Sequence, residues 1–320
     1  MAITSALNAS QANELFFGYC SEDNVKSAAD LVNDFVRINV RESSFADKAM
    51  PYQKIGPEAL TPQLNTDKPV KLIDIEPGSP GAVTVPLGAQ PAQFYLRGNR
   101  APVYFERLTT VKFTKDMTEL MTYGYDIRQV VLDNSVLDIE LEVDAKFLTA
   151  VDSIVGAEGS TVSETGVIQN RKITDAGGIT RSSLAELTKI LPSIASKLEN
   201  SVILTNVLAA KDIAKFDRLA AGGDFSYEML IDGFQKTKFL GAKWILTNKT
   251  ELIPSTTGGT ASHTFYILAE PSFLGKSYML EELTTFVKKE AWRLEFFSYC
   301  LRGLTIANIG AVAKARIAIS

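Results

Sequence analysis

The chain contains a single histidine, His263, and only two cysteines, Cys20 and Cys300, which are far apart in sequence. A serine or cysteine triad normally uses a histidine base, and zinc hydrolase motifs need two histidines. The cysteine spacing does not match a metal site, and two distant cysteines do not make a disulfide framework. We therefore predict no catalytic residue and no metal site, and we interpret His263 as a loop or strand-edge residue.

Cofactor motifs and long apolar runs are also absent from the sequence. No G-x-G-x-x-G, G-x-x-x-x-G-K-[ST] or G-x-S-x-G occurs, so no cofactor is predicted. No apolar run approaches the roughly 20 residues that span a bilayer, and residues 1–13 do not have the pattern of a signal peptide. The net charge is −4, from 33 basic and 37 acidic residues, which argues against a protein whose main task is to grip nucleic acid.

The first third of the chain reads as poorly packed. Residues 10–36 predict one or two short amphipathic helices, and residues 37–66 predict an irregular arm. Residues 67–114 contain short β-rich runs that glycine and proline interrupt, which is typical of an extended hairpin. These runs are Val70–Ile75, Ala82–Val85, Gln93–Arg97 and Val103–Arg107. An isolated ribbon is marginal in water, so this hairpin should rest on another surface.

Residues 126–152 carry the strongest helical pattern, because apolar residues recur every three or four positions and only Asn134 interrupts them. The predicted buried stripe is Ile127, Val130, Val131, Leu137, Leu141, Ala145, Leu148 and Val151. The acidic residues between them are predicted to lie on a solvated face and not in a metal site. They are Asp133, Asp138, Glu140, Glu142 and Asp144.

The second half reads as a boundary loop followed by mixed helices and strands. Residues 156–181 are rich in Gly, Ser and Thr, and Ser183 with Glu186 predicts a capping box for a helix that Pro192 should kink or break. The further predicted elements are strands at 202–204, 243–246 and 264–268, helices at 209–216 and 227–234, and long β-like runs at 284–301 and 304–319.

Arginine alternates with aromatic residues in the predicted hairpin. This pattern can bind single-stranded nucleic acid by stacking, but it is also enriched in protein interfaces. We favour an interface, since a projecting hairpin needs a protein surface to cover it. The candidate interface residues are Val83, Val85, Phe94, Tyr95, Arg97, Arg100, Tyr104, Phe105 and Arg107.

The order of elements resembles the major capsid proteins of tailed phages, which have the Hong Kong-97-type fold. The stretches Arg100–Leu148 and Phe265–Gly310 are the most similar to that family. The resemblance implies an α+β fold with five units. They are an N-terminal arm at 1–62, an extended loop at 63–114, a peripheral domain with a spine helix at 115–179, an axial domain at 180–270, and returning strands of the peripheral domain at 271–320.

The resemblance also implies a function and partners. The chain would assemble with itself, as pentamers and hexamers, into an icosahedral head shell around double-stranded DNA that it binds without sequence specificity. Portal, a separate scaffolding protein and decoration proteins are the other implied partners. The implied location is the virion head, after assembly in the host cytoplasm. Gly78–Arg107 contains no lysine, which argues against the covalent loop cross-link of some family members.

Two other functions remain open at this point. The first is the shell protein of an encapsulin-type nanocompartment, which has the same fold as the capsid proteins and encloses an enzyme. The second is a two-domain α/β enzyme with an unusual site, which a closed pocket lined by converging polar groups would favour.

Overall fold

The computed structural model contains both helices and strands, as the predicted α+β class requires. It describes residues 44–62, 66–77, 81–91, 93–95, 97–116, 119, 127–155, 162–164, 167–169, 172–175, 178–194, 196–213, 238–239, 241–249, 251–257 and 260–319. Within these ranges the α-helices are α1 (Phe45–Ala49), α2 (Ile127–Val155), α3 (Arg181–Ser193), α4 (Val207–Ile213) and α5 (Pro271–Leu274). None of these helices is long and apolar enough to cross a membrane.

The described ranges also contain strands β1 to β16, numbered in chain order. They are β1 (Tyr52–Lys54), β2 (Val70–Ile75), β3 (Asn99–Tyr104), β4 (Glu106–Thr109), β5 (Phe113–Asp116), β6 (Val162–Glu164), β7 (Val167–Gln169), β8 (Lys172–Asp175), β9 (Val202–Asn206), β10 (Lys238–Phe239), β11 (Ala242–Thr247), β12 (Thr256–Thr257), β13 (Thr260–Leu268), β14 (Gly275–Glu290), β15 (Arg293–Ile306) and β16 (Val312–Ala318).

Two larger sheets organise these strands. Sheet I has the order β1-β14-β15-β4, and β5 pairs with the first part of β15. Sheet II has the order β10-β11-β9-β13-β16-β8, and β12 extends it beside β13. The strands β2 and β3 form a separate antiparallel ribbon, as do β6 and β7.

Helix α2 joins the two sheets, because it packs against β15 of sheet I and β16 of sheet II. Its buried residue Phe147 belongs to one continuous core with Phe296 of sheet I and Phe265 of sheet II. The helix predicted at 126–152 is therefore confirmed, with observed bounds Ile127–Val155.

The face that α2 buries differs from the predicted one. Leu137 is exposed and Asn134 is exposed, whereas Glu140 and Asp144 are buried. The buried stripe is Val131, Ser135, Val136, Ile139, Glu140, Val143, Asp144, Phe147, Leu148, Val151 and Val155. Apolar residues occur on both sides of this helix, so the sequence pattern does not determine which side is buried. Acidic residues were also expected in solvent, and two of them are buried.

Helix α3 begins at a different cap from the one predicted. The capping box joins Thr180 and Ser183: the Ser183 amide donates to Thr180 Oγ1 at 3.1 Å, and the Thr180 amide donates to Ser183 Oγ at 2.8 Å. Glu186 instead pairs with Lys189 on the helix surface. Pro192 lies in the last turn, and the helix ends at Ser193, as a break at this proline requires.

The long run predicted at 284–301 is two strands and not one. β14 and β15 form a hairpin whose two-residue turn is Ala291 and Trp292, with Ala291 at a φ of 52°. The predicted group of returning strands at 271–320 is also divided. β14 and β15 lie in sheet I, but β16 lies in sheet II between β13 and β8.

Other predicted elements have mixed outcomes. The described residues of Ala82–Val85 and Gln93–Arg97 form no strand, because proline and glycine lie on both sides of each run. Residues 44–50 are not an irregular arm: Phe45, Ala46, Ala49 and Met50 are buried in the core. The helices predicted at 10–36 and 227–234 lie outside the described residues.

Candidate subunit interface

The β2–β3 ribbon is anchored to sheet I at its base. Val103, Phe105 and Tyr278 form a small buried cluster against Leu280 and Leu301. The Phe105 amide donates to the Pro69 carbonyl at 3.0 Å. Phe105 was predicted to be an exposed interface residue, but only 3% of it is exposed. The predicted exposure is wrong because the partners of Phe105 in β14 and β15 lie about 170 to 200 residues later in the chain.

A glycine allows the ribbon to approach sheet I closely. A Cβ atom on Gly303 would lie 2.7 Å from the Tyr104 carbonyl oxygen and 3.0 Å from Val103 Cγ1. The Thr305 hydroxyl donates to the Pro102 carbonyl at 3.0 Å on the same side. The base of the ribbon is therefore part of the folded subunit.

The other end of the ribbon leads into a long connection. β2 and β3 are in register up to the pair Ile75 and Asn99, and the described residues between them make no further ladder with either strand. Between Glu76 and Arg97 the sequence contains no charged residue, and it has prolines at 77, 80, 86 and 91. We call residues 77–96 the uncharged segment.

Most described residues of the uncharged segment are exposed. Leu87 is fully exposed, and Val83, Phe94 and Tyr95 are 79%, 60% and 82% exposed. The Ala89 amide donates to the Pro86 carbonyl at 3.1 Å, and Gly88 has a φ of 88°, so residues 86–89 form a turn that presents Leu87 to solvent. Exposing so much apolar surface is unfavourable in water, so this segment is suited to a protein partner.

The remaining predicted interface residues are spread from the uncharged segment to the base of the ribbon. Val85 is half-buried, and Arg97 and Tyr104 are exposed. Arg100 Nε lies 2.8 Å from Asp74 Oδ1 across the ribbon, with both side chains exposed. The Arg107 guanidinium lies 5.0 Å from the Tyr299 ring centroid on sheet I. Arg107 thus lies beside the ribbon and outside the uncharged segment.

A buried polar contact holds residues 44–50, and no local pattern in the sequence indicates it. Asp144 of α2 is fully buried and accepts hydrogen bonds from Ser44 Oγ at 2.6 Å, the Ala46 amide at 3.0 Å and Lys249 Nζ at 2.6 Å. Asp47 pairs with Arg302 of β15. These partners are about 100 or more residues apart in sequence, so local patterns could not predict them.

The charged groups near a cavity under the ribbon base have partners within the subunit. This cavity of about 360 Å³ lies between α2 and the ribbon base and is lined by Leu108, Val143 and Leu304 among others. At its wall Lys146 pairs with Glu106, and the hydrogen bond from Lys146 lowers the pKa of that carboxyl group. The charges of Lys146 and Glu106 are therefore directed at each other.

The titratable groups of the described residues give no recognisable catalytic arrangement. His263 lies in β13, is buried, and its Nε2 is 2.6 Å from Asp212 Oδ2, so the predicted loop or strand-edge position is wrong. Burial raises the pKa of the Cys300 thiol to about 11, which makes it a poor nucleophile. Among the described residues, no group of three or more His, Cys, Asp or Glu side chains could hold a metal ion.

No protein-family model matches the chain, and no curated protein matches its sequence. Solved structures do match its fold. The capsid asymmetric unit of cyanophage Pam1 is 12% identical, with a TM-score of 0.60 over 87% of this chain and 93% of that chain. The capsid of cyanophage P-SCSP1u is also 12% identical, with a TM-score of 0.57 over 88% of this chain and 90% of that chain.

A third similar structure is a virus-like particle from Pyrococcus furiosus. It is 16% identical, with a TM-score of 0.52 over 89% of this chain and 97% of that chain. At these identities the similarity shows the fold alone. The α+β arrangement of this chain is the fold of phage capsid proteins.

Proposed function

We propose that this chain is the major capsid protein of a tailed phage, and that it assembles with itself into the icosahedral head shell around double-stranded DNA. The observation that carries the proposal is the uncharged segment, which leaves Leu87, Phe94 and Tyr95 exposed on a capsid fold. A monomer has no compensation for this exposure, whereas a repeated contact between subunits covers it.

The contact is head-to-tail, since one subunit offers the segment and the next subunit offers a different surface. Head-to-tail contacts close into rings when the rotation between subunits allows it, and pentamers and hexamers are such rings. The burial per subunit is then expected in the range of obligate interfaces, above about 2,000 Å². In this proposal the extended loop is residues 63–114, with the uncharged segment as its outer part, the N-terminal arm is residues 1–62, and α2 is the spine helix.

The remaining partners follow from the same proposal. Portal, scaffolding and decoration proteins contact the shell, and the packaged DNA contacts its inner wall without sequence specificity. A net charge of −4 suits that wall, because DNA must slide during packaging and a basic wall would retain it. The proposed location is the virion head, with assembly in the host cytoplasm, and no enzymatic activity is proposed.

A variant without the uncharged segment tests the proposal. Ile75 and Asn99 are an antiparallel pair, so residues 76–98 can be replaced by a two-residue Asn-Gly turn that continues the ribbon. A larger deletion from 72 to 107 would remove buried Val103 and Phe105 and confuse loss of folding with loss of assembly. The intended variant should keep its circular dichroism spectrum and unfolding temperature.

Assembly is measured by light scattering and negative-stain microscopy of both proteins, each purified at full length apart from the replacement. The expected result is closed shells from the original chain and none from the variant. Shells from both proteins contradict the role of the uncharged segment. A folded original chain that stays monomeric at every concentration, alone and with crowding agents, contradicts the capsid function.

A nanocompartment shell is the second candidate, because a virus-like particle from Pyrococcus furiosus has a similar fold. The contents of purified particles separate the two functions. Nuclease-protected double-stranded DNA in particles from producing cells supports the head shell. A protein cargo in place of DNA supports the nanocompartment.

A further inference from the structure

The first described residues of the chain connect three parts of the subunit. α1 contacts both α2 and β11 of sheet II, and Asp47 of α1 pairs with Arg302 of β15 in sheet I. After α1, strand β1 lies parallel to β14, and the Ile55 amide donates to the Met279 carbonyl at 3.0 Å. We call residues 44–55 the bridging segment, because it contacts α2 and both of the larger sheets.

One buried carboxylate holds the bridging segment, α2 and the end of β11 together. Asp144 of α2 is fully buried, and its Oδ1 atom accepts from Ser44 Oγ at 2.6 Å and from the Ala46 amide at 3.0 Å. Its Oδ2 atom accepts from Lys249 Nζ at 2.6 Å, and Lys249 follows β11 by two residues. A buried charge is unfavourable unless it is both paired and hydrogen-bonded. Asp144 therefore needs the bridging segment and Lys249 in place together, and we call Ser44, Asp144 and Lys249 the latch.

A second ion pair holds the same short helix on sheet I. The side chains of Asp47 and Arg302 are 12% and 9% exposed, and the Arg302 guanidinium lies 4.7 Å from the Tyr52 ring centroid. Asp47 follows Ser44 by only three residues, so α1 is too short to stretch between the latch and this pair. A shift of sheet II relative to sheet I should therefore open one of the two.

We propose that the latch is a conformational coupling device, which makes the contact of residues 44–50 with sheet I depend on the position of sheet II. Opening the latch at Lys249 then also weakens the pair at Arg302. The coupling concerns the single subunit and goes beyond the proposed function. The bridging segment lies within the predicted arm, residues 1–62, so in a shell the same latch would link the arm to sheet II.

Lys249 and Arg302 have no partner in common. Lys249 contacts Asp144 and lies 5.8 Å from the Phe45 ring centroid, whereas Arg302 pairs with Asp47. Energetic coupling between two residues without a shared partner indicates a structure that both of them hold. Here that structure is α1, and a loss of stability confined to the surroundings of Lys249 would not produce such coupling.

α2 also offers a matched ion pair that does not involve the bridging segment. Lys314 Nζ of β16 lies 2.8 Å from Asp152 Oδ1, so this pair likewise joins α2 to sheet II. The Lys314 and Lys249 side chains are 17% and 21% exposed. Asp152 is more exposed than Asp144, so loss of Lys314 should cost less stability overall. The control therefore compares where the structure loosens and not how much stability is lost.

Hydrogen exchange of the unassembled full-length chain locates the effect. Lys249→Met keeps the apolar part of the side chain and removes the cation that Asp144 needs. Exchange of a peptide covering 44–50 should accelerate about tenfold or more relative to a peptide from β9, whose buried residues report opening of the whole subunit. Lys314→Met should leave this ratio unchanged, and Lys249→Arg should restore it.

Denaturant unfolding of single and double variants measures the coupling. If Lys249→Met already unseats α1, little remains for Arg302→Met to remove. The unfolding equilibrium constant of the double variant should then be about tenfold smaller than the product of the two single effects predicts. Lys314→Met combined with Arg302→Met should agree with the product within about twofold.

Several outcomes overturn the coupling. They are unchanged exchange at 44–50 in Lys249→Met, an equal rise in Lys314→Met, and single effects of Lys249→Met and Arg302→Met that multiply. If Lys249→Met does not fold, Lys249→Gln, which keeps a donor for Asp144, takes its place with the same outcomes. If neither folds, Lys249 is required by the whole subunit and a local latch is wrong. Failure of the original chain to form shells counts against the proposed function alone, because no measurement here depends on assembly.

Discussion

Phe105 and Phe94 lie eleven residues apart in one connected ribbon, yet 3% of the first and 60% of the second are exposed. The difference comes from what each ring can reach. Phe105 meets Tyr278 and Leu301 of the same subunit, whereas Phe94 projects beyond the pair Ile75 and Asn99 that closes the ladder. Similar residues therefore stabilise the subunit at one end of the ribbon and are exposed to solvent at the other.

The largest expected effect comes from truncating the two rings in turn. Phe105→Ala removes a fully packed ring and should lower the free energy of unfolding by about 3–5 kcal/mol. Phe94→Ala should change it by less than about 0.5 kcal/mol, because the ring has few contacts within the subunit. Thermal and denaturant unfolding of the unassembled chains measures both. Equal losses of stability in the two variants would contradict the conclusion that Phe105 is packed within the subunit and Phe94 is not.

A smaller effect is expected at the glycine that lets the base approach sheet I. Gly303→Ala places a methyl group 2.7 Å from the Tyr104 carbonyl oxygen, and the forced displacement should cost about 1–3 kcal/mol. Gly98→Ala is the matched control, since a Cβ atom there meets nothing within 4 Å. Denaturant melts should show a lower midpoint for the first variant only. An unchanged denaturation midpoint for Gly303→Ala would mean that the ribbon base packs less tightly on sheet I than the distances indicate.

The smallest change in stability is expected in the ribbon between its buried base and the uncharged segment. Arg100 and Asp74 form an ion pair whose side chains are 66% and 83% exposed. Exposed pairs contribute about 0–1 kcal/mol, so Arg100→Ala should lower stability only slightly. Salt at about 1 M screens such pairs, so the difference from the original chain should vanish there. A difference that persists in high salt indicates that Arg100 packs through its aliphatic part.

Local sequence patterns predicted those features that depend on neighbouring residues. The helix at 127–155, the break at Pro192 and the ribbon that begins at Val70 follow from periodicity, proline and β-rich runs. The exposure of Val83, Phe94 and Tyr95 follows from a segment too thin to bury them. The assignment of that segment to a subunit interface stays a prediction.

The features that were not predicted depend on residues that are distant in sequence. Asp144 was expected in solvent, but Ser44 and Lys249 reach it from about 100 residues away on either side. Phe105 was expected in an interface, but β14 and β15 cover it. The stacking of Phe286 on Phe297 in sheet I could not be predicted from local patterns, because the two rings meet only once the hairpin turns at Ala291.

The position of β16 has a consequence for synthesis of the protein. This strand lies between β13 and β8, and among the described residues it alone connects β8 to the rest of sheet II. Sheet II cannot close until residues 312–318 have left the ribosome, although most of its other strands are made much earlier. A nascent chain therefore cannot reach its finished shape until translation has passed this strand, and until then β13 and β8 have edges that β16 will later cover.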